Sequence, residues 1–540
     1  MPFSLEKFES YAYSRQLELG VRELLALLQD LDSNYGRVSH EFKASPLQSV
    51  EQQDMDQHIW TRAAAAVTCL LSDQSLTFSP QWEKSIITTH RWLSALFAAT
   101  PFRNADHVMR AYNQKEDKSD LSIVQLAEKD LLKFCWIYSP ESEVNLDLDA
   151  LWGSNPILAA GLCIVLLSPR FLGSPVAHSK REIILPWLAQ KLGEIQDIEL
   201  LPVGVLHDLY MHCSYADRAD KHDIKKPING LIRKKLIEHN LLDIHPRTLP
   251  VDDIHKKPVL LVVLEWFGSS HSIYRTHSLT IEGAKKNFHV IGMAYEHCVD
   301  SITQEVFDEF IPIDQSKGVI EQLAAIKQVS GERGASICYM PSVGMFPLTM
   351  WLANLKVAPL QMMALGHPAT THAHAIDYVV VEEDYLGEKS CFSEDLLILP
   401  KDGMPYRPSE AAKQIKFTEH ISSCPEVVKI AVCSTTMKLN PQFLSACARI
   451  INESSVPIHF KFLIGQAQGL IYPNVQRVVH QFLGDHVDVY PHQDYSSYMR
   501  IIGECDMFIN PFPFGNTNGI IDTVSAGLVG VCKTGPEVHE

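Results

Sequence analysis

The sequence predicts a mixed α/β chain: an all-α N-terminal domain over residues 1–245, then two Rossmann-like lobes over 250–400 and 425–540, with a linker over 401–424. Three observations carry this. Apolar residues recur at helical spacing through the first part of the chain, with little strand-like alternation. Beyond Pro250 the pattern turns to short, near-continuous apolar runs separated by helical segments, the mark of parallel strands buried on both faces. KDGMPYRPSEAAK, residues 401–413, is polar and contains proline, which suits a connection between two such series.

The totals bound the function. A chain of 540 residues holds roughly three domains of ~100–200 residues each. Apolar residues make up 46% and charged residues 21%, an ordinary globular composition. Lys and Arg number 47 against 64 Asp and Glu, a net charge of −17. That argues against a general nucleic-acid binder, which needs a basic footprint, but leaves room for a local basic pocket holding one phosphate ligand. The 12 cysteines form no CxxC pair and no metal spacing, so buried thiols in a reducing compartment are expected. MPFSLEKFESY has no signal-peptide pattern. The longest apolar run, Pro156 to Leu167, is shorter than the ~20 residues a bilayer span needs. The expectation is a soluble, cytoplasmic protein with no membrane span.

Taken in order, Leu17, Val21, Leu24, Leu25 and Leu28 mark one helix, and Ala64, Val67, Leu70 and Leu71 another. Ile123, Leu126, Leu131 and Leu132 continue the series. Stacked helix pairs fit, without a fixed-period repeat. Asp147-Leu-Asp149 reads as a cap or surface turn, since no strand precedes it. HDLYMHCSYADRADKHD, residues 207–223, gathers His207, Asp208, His212, Asp217, His222 and Asp223. An acid–base role and a polar docking face weigh about evenly there; metal ranks below both, because no histidine pair has a zinc-like spacing. First-lobe strands are expected at Pro258–Leu264, Phe288–Ala294, Ala335–Tyr339 and Tyr378–Val381, with a helix over Gly318–Val329. Second-lobe strands follow at Val428–Cys433, Ile458–Ile464, Val487–Tyr490, Asp506–Asn510 and Leu528–Cys532.

Open α/β sheets bind ligands outside the carboxyl ends of their strands, so a site between the lobes is expected. NPFPFGNTNGIID, residues 510–522, joins a strand, a tight polar turn and a helix N-terminus. Free amides of a first helical turn make an anion cradle, and Asp522 one turn in reaches toward ribose hydroxyls. On spacing alone an ordinary βα loop keeps the edge, because no phosphate fingerprint of the GxGxxG or GxxxxGK[ST] type is present. Three more stretches follow predicted strands. HSIYRTHS (271–278) offers His271, Arg275 and His277; GHPATTHAH (366–374) offers His367, Thr370, Thr371 and His372. In STTMKLNP (434–441), Asn440-Pro441 is a helix-start pair that places Lys438 in the loop before it. Gln466 and His492 end two further strands. Each residue alone means little. Together Lys438, Gln466, His492 and Asn518 to Asp522 follow successive strands of one lobe, where a nucleotide diphosphate would lie. No DxD follows a strand there, so leaving-group charge falls to Lys438 and a helix N-terminus rather than to a metal.

HSIYRTHS, GHPATTH, STTMKLNP and NPFPFGNTNGIID resemble bacterial protein N-glycosyltransferases related to the high-molecular-weight adhesin glycosyltransferases, which are relatives of the O-GlcNAc transferases in glycosyltransferase family 41. The resemblance runs over nearly the whole chain. It implies a GT-B fold behind the all-α domain and a metal-independent, cofactor-free inverting transfer. The donor is expected to be UDP-glucose, with UDP-galactose as the second choice. The acceptor is expected to be Asn in Asn-X-Ser/Thr sequons of an adhesin, modified in the cytoplasm. By position, Lys438 and His277 would act at the diphosphate, with Asn518, Gly519 and Ile520 presenting the helix N-terminus. Asp522 would bind ribose, and Thr435, Gln466 and His492 would line the nucleotide and sugar pocket. The family's acceptor groove, between helical domain and first lobe, draws in His212, Asp217, His271 and His367. His277 and the residues near Asp217 are the candidate bases. Family members continue beyond Glu540 with helices that complete the second lobe, so an incomplete C-terminal lobe is expected. Two alternatives stand: an O-GlcNAc-transferase-like Ser/Thr glycosyltransferase, disfavoured by the lack of tetratricopeptide signatures, and a non-catalytic nucleotide-sugar or adhesin-binding protein.

Overall fold

Rows of apolar residues three and four apart make the N-terminal region helical. The computed structural model describes residues 3–39, 42–45, 52–78, 80–114, 124–244, 257–408, 411–412, 415 and 425–539. Helices Leu17–Ser33, Gln52–Ser72 and Pro80–Ala98 lay Val21, Leu24, Leu28, Val67, Leu70 and Leu71 into one core. Leu126, Leu131 and Leu132 pack half-buried against it; Ile123 lies outside the described residues. Asp147 accepts the amide of Ala150 and caps helix Leu148–Ser154. Asn155 caps helix Pro156–Leu167, which is buried on every face from Leu158 onward. No described helix is long and apolar enough to cross a membrane.

Two parallel sheets follow. The first contains β1 (Val259–Val263), β2 (His289–Ala294), β3 (Glu309–Pro312), β4 (Ala335–Met340), β5 (Leu360–Ala364), β6 (Tyr378–Glu382) and β7 (Asp395–Leu399), in the order β3-β2-β1-β4-β5-β6-β7. The second contains β8 (Val428–Thr435), β9 (Ile458–Gly465), β10 (Val487–Tyr490), β11 (Met507–Ile509) and β12 (Val529–Val531), in the order β10-β9-β8-β11-β12. Each sheet grows one way from its first strand and then the other, which creates a switch point between β1 and β4 and another between β8 and β11. Three strands, β3, β5 and β7, were not expected. β3 is half-exposed and ends in proline, β5 is Leu-Gln-Met-Met-Ala with no β-branched residue, and β7 lies on an edge with Leu397 and Ile398 exposed.

The helical domain is fastened to both lobes. Its core is continuous with that of the first lobe. Tyr210 donates to the Thr371 carbonyl at 2.7 Å, and Asn229 donates to the carbonyls of Thr371 and His372 at 2.9 and 2.8 Å. On the second lobe, Leu470 donates to the Gly36 carbonyl at 3.0 Å and Arg477 to the Ala98 carbonyl at 2.7 Å. Gly469 has φ +53°, and a Cβ there would lie 2.1 Å from the Gly36 oxygen, so only glycine permits this approach. The opening of the expected linker packs on the first lobe, with Arg407 bonded to Glu282 at 2.6 Å; most of 409–424 lies outside the described residues. The described cysteines are free thiols, and Cys424 lies outside them.

Candidate active site

The loops leaving β8 and β11 flank the second-lobe switch point, and they carry Thr435, Lys438 and residues 510–522. Lys438 ends the 3₁₀ turn Thr436–Lys438, which runs into helix Pro441–Glu453. Asn440 caps that helix through the Phe443 amide at 2.9 Å and donates to the Phe512 carbonyl at 2.6 Å, tying the two loops together. The Lys438 ammonium donates to the Gly515 carbonyl at 2.6 Å and to Asn516 Oδ1, and lies 5.2 Å from the centre of the Phe514 ring. All of these partners are neutral. Burial without a counter-charge pulls the lysine pKa down to about 7.

Helix Asn518–Ser525 makes its first bond from the Ile521 amide to the Thr517 carbonyl at 3.2 Å. The amides of Asn518, Gly519 and Ile520 therefore precede the ladder and are open to an anion. Gly515 keeps the loop shut: a Cβ there would lie 2.5 Å from Asn510 Nδ2 and 2.7 Å from the His539 carbonyl.

HSIYRTHS follows β1, as expected, and is itself the start of a helix. His271 is an N-cap that accepts the Ile273 amide at 3.3 Å, and Arg275 and His277 ride on helix Ser272–Ala284. The His271 cap and the apolar spacing of Ile273, Tyr274 and Ile281 start the helix here. His277 Nδ1 lies 2.7 Å from Thr276 Oγ1, whose own hydrogen goes to the Ser272 carbonyl at 3.0 Å. Where the Thr276 hydrogen goes to the Ser272 carbonyl, the ring donates from Nδ1 and Nε2 carries a lone pair. Burial lowers the His277 pKa to about 4, so the ring is neutral at pH 7.

Ser272, Thr276, His277, Tyr406, Asn518 and His539 line a pocket between the lobes. His277 Nε2, the Tyr406 hydroxyl, Asn518 Oδ1 and His539 Nε2 are buried with no hydrogen-bond partner among the described residues. Thr435 Oγ1 and Gln466 Oε1 are in the same condition at the ends of β8 and β9. Native proteins satisfy buried polar atoms, so the four gathered on one pocket are candidates to face a polar ligand. Lys438 meets this pocket through Asn516, two residues before Asn518. His492 is exposed and joins the Gln466 side only through its amide, bonded to the Ala467 carbonyl at 3.1 Å. Asp522 is buried, and its Oδ1 accepts from Arg275 at 2.7 Å and from Tyr495 at 2.8 Å.

The four acceptor-side residues do not form one group. His212 is buried at the domain joint, and burial lowers its pKa to about 4. His367 is buried with Nε2 2.9 Å from Ser214 Oγ. His212 Nδ1 has no hydrogen-bond partner among the described residues. Asp217 is exposed, its amide 3.4 Å from Glu182 Oε1, and His271 is half-buried at its cap. Among the described residues no three His, Cys, Asp or Glu side chains gather where they could hold a metal ion.

Sequence reasoning missed Phe514, Tyr406 and the segment 537–539. Phe514 is a pin where three parts meet, with ring centres 4.4 Å from Tyr215, 5.9 Å from His367 and 4.0 Å from His539. Glu537 pairs with Lys221 at 2.8 Å and His222 at 3.0 Å, which spends part of the 207–223 stretch on docking. Only the aromatic amid turn residues at 514 hinted at this.

Residues 2–144 match the domain family described as HMW1C N-terminal, and residues 149–236 match that described as HMW1 domain 2. Two relatives from Actinobacillus pleuropneumoniae, serotype 5b (strain L20) and serotype 7 (strain AP76), carry the name UDP-glucose:protein N-beta-glucosyltransferase. Each is 44% identical over 99% of this chain and 86% of the relative. Among solved structures, a point mutant of Thermobaculum terrenum O-GlcNAc transferase superposes with a TM-score of 0.51 at 11% identity, covering 99% of this chain and 83% of that one, which is a likeness of fold.

Proposed function

The chain belongs to the HMW1C family, with the UDP-glucose:protein N-beta-glucosyltransferases, and from that membership we propose that it transfers glucose from UDP-glucose to asparagine side chains of a protein acceptor. The architecture is GT-B, two facing Rossmann-like lobes behind an all-α domain. The observation that carries the reading is Lys438: a cation held only by neutral groups, beside a helix N-terminus, at the switch point of a parallel sheet. A diphosphate supplies the missing negative charge.

The proposed chemistry is a single inverting displacement at the anomeric carbon, without a metal. The bond to UDP breaks as the asparagine nitrogen attacks. Charge growing on the leaving diphosphate is met by Lys438 and the amides of Asn518, Gly519 and Ile520, each worth a few kcal/mol of barrier. In the tautomer with its hydrogen on Nδ1, His277 enters with a bare Nε2 and accepts a hydrogen bond there. Nearby phosphate charge raises its pKa, which suits it to take the proton from the asparagine nitrogen. The sequon Asn-X-Ser/Thr, an adhesin-type acceptor and a cytoplasmic setting belong to the same proposal.

The test incubates the protein with UDP-glucose, an Asn-X-Thr peptide and EDTA, read by tandem mass spectrometry. One hexose on Asn is expected. Sugar found only on Ser or Thr would replace this reading with an O-GlcNAc-type transfer. UDP binding without product would leave a non-catalytic binding protein. Parallel reactions with UDP-galactose fix the sugar.

A further inference from the structure

Arg275 and Asp522 lie on opposite walls of the cleft. Arg275 belongs to helix Ser272–Ala284 of the first lobe and Asp522 to helix Asn518–Ser525 of the second. Their Nη2 to Oδ1 distance is 2.7 Å, and both side chains are 7% exposed. The guanidinium is enclosed by two aromatic faces, with Tyr406 at 5.0 Å and Tyr495 at 5.6 Å from its centre. Tyr495 also donates its hydroxyl to Oδ1 at 2.8 Å. The Arg275 carbonyl accepts the Arg407 amide at 2.7 Å, so the opening of the linker holds the arginine from behind. Both bonds to Asp522 fall on one oxygen. Oδ2 takes none among the described residues.

A buried ion pair is weak evidence for stability, because desolvation offsets much of the attraction. Its geometry says more. Helix residues on either side of the pair, Thr276 and His277 on one wall and Asn518 and Ile521 on the other, line the pocket. The pair therefore fixes the spacing of the walls and the rotamer of Asp522 in one contact. Together with Tyr495 it occupies Oδ1 and turns Oδ2 over to a ligand hydroxyl.

We propose that Arg275 is a positioning residue for the donor: it crosses from the first lobe to hold the Asp522 carboxylate, so that Oδ2 receives the ribose hydroxyls of the UDP-sugar. This rests on the donor-site reading given above. It predicts that ribose recognition depends on a residue of the lobe opposite the one that carries Asp522.

The test compares UDP with 2′-deoxy-UDP by calorimetry on the full chain. Wild type is expected to bind UDP at least about tenfold more tightly than the deoxy form. Arg275→Met is expected to bring that ratio close to one, with Arg275→Lys intermediate. Tyr495→Phe removes the second bond to Oδ1 without stranding a buried charge, and is expected to lower the ratio about threefold even where Arg275→Met fails to fold. A general loss of structure would weaken both ligands alike and leave the ratio unchanged. A wild-type ratio kept in both Arg275→Lys and Tyr495→Phe overturns the proposal. A wild type that binds neither nucleotide overturns the donor-site reading itself, and the proposal with it.

Discussion

Two loops rich in the same residue types meet opposite fates. GHPATTHAH in the first lobe presents His367, Thr370, Thr371 and His372, and nearly every polar atom is spent inside the protein. Glu394 accepts Thr370 Oγ1 and the Thr371 amide, each at 2.7 Å, and the Thr371 hydroxyl as well. Lys225 donates to the Thr370 carbonyl at 2.7 Å. The second-lobe crevice presents Thr435, Lys438, Gln466 and Asn518 with orphaned atoms or an uncompensated cation. The first loop is mortar between domains; the second keeps donors and acceptors that no neighbouring group uses among the described residues. Residue type does not separate the two. Satisfaction does.

Removing the uncompensated cation should break the contrast most sharply. Lys438→Ala is expected to cut transfer by ~10²–10³ in kcat/KM for UDP-glucose, with the unfolding midpoint unchanged or raised, since a poorly solvated charge is lost. Steady-state kinetics beside a urea titration check both halves; a large fall in the midpoint would move Lys438 into the mortar.

The converse substitution is Glu394→Gln. It keeps the shape but weakens three bonds to a charged acceptor. A loss of about 2 kcal/mol of unfolding free energy is expected in a urea titration, while UDP affinity, measured at low temperature, changes less than about twofold.

The subtlest difference is in pH. Lys438 must be protonated to meet a diphosphate, and its pKa in the free protein is about 7, held down by burial. kcat/KM for UDP-glucose should fall as pH rises through 7, by up to about tenfold per unit. kcat should hold to higher pH, because bound diphosphate restores the proton. Stability runs the other way. Between about 7 and the ordinary lysine value of 10.5 the unfolded chain binds the extra proton, so the Lys438 contribution becomes more favourable as pH rises. Subtracting the same pH series of Lys438→Ala isolates it.

Much of the architecture was legible because its cause is local. β1, with five consecutive buried aliphatics, and the Asn440-Pro441 and Asn155-Pro156 helix starts announce themselves. β7 did not, because an exposed edge strand lacks the two-faced burial that marks the others. The second-lobe positions of the candidate site could be read as strand ends. The state of each side chain could not. His367 and His277 both stand in motifs full of histidines, yet one finds Ser214, 153 residues away, and the other keeps a bare nitrogen. The Phe514 pin and the Arg275–Asp522 pair join positions 25 to 299 residues apart, which no spacing rule reaches.

The glycine-on-backbone contact of Gly469 with Gly36 has a consequence for the two walls of the cleft. With the helical domain bonded to one lobe at Thr371 and packed on the other at Gly36, both walls share one support. A side chain introduced at Gly469 would therefore act at a distance, displacing the wall that carries Lys438 and Asp522 without touching either residue.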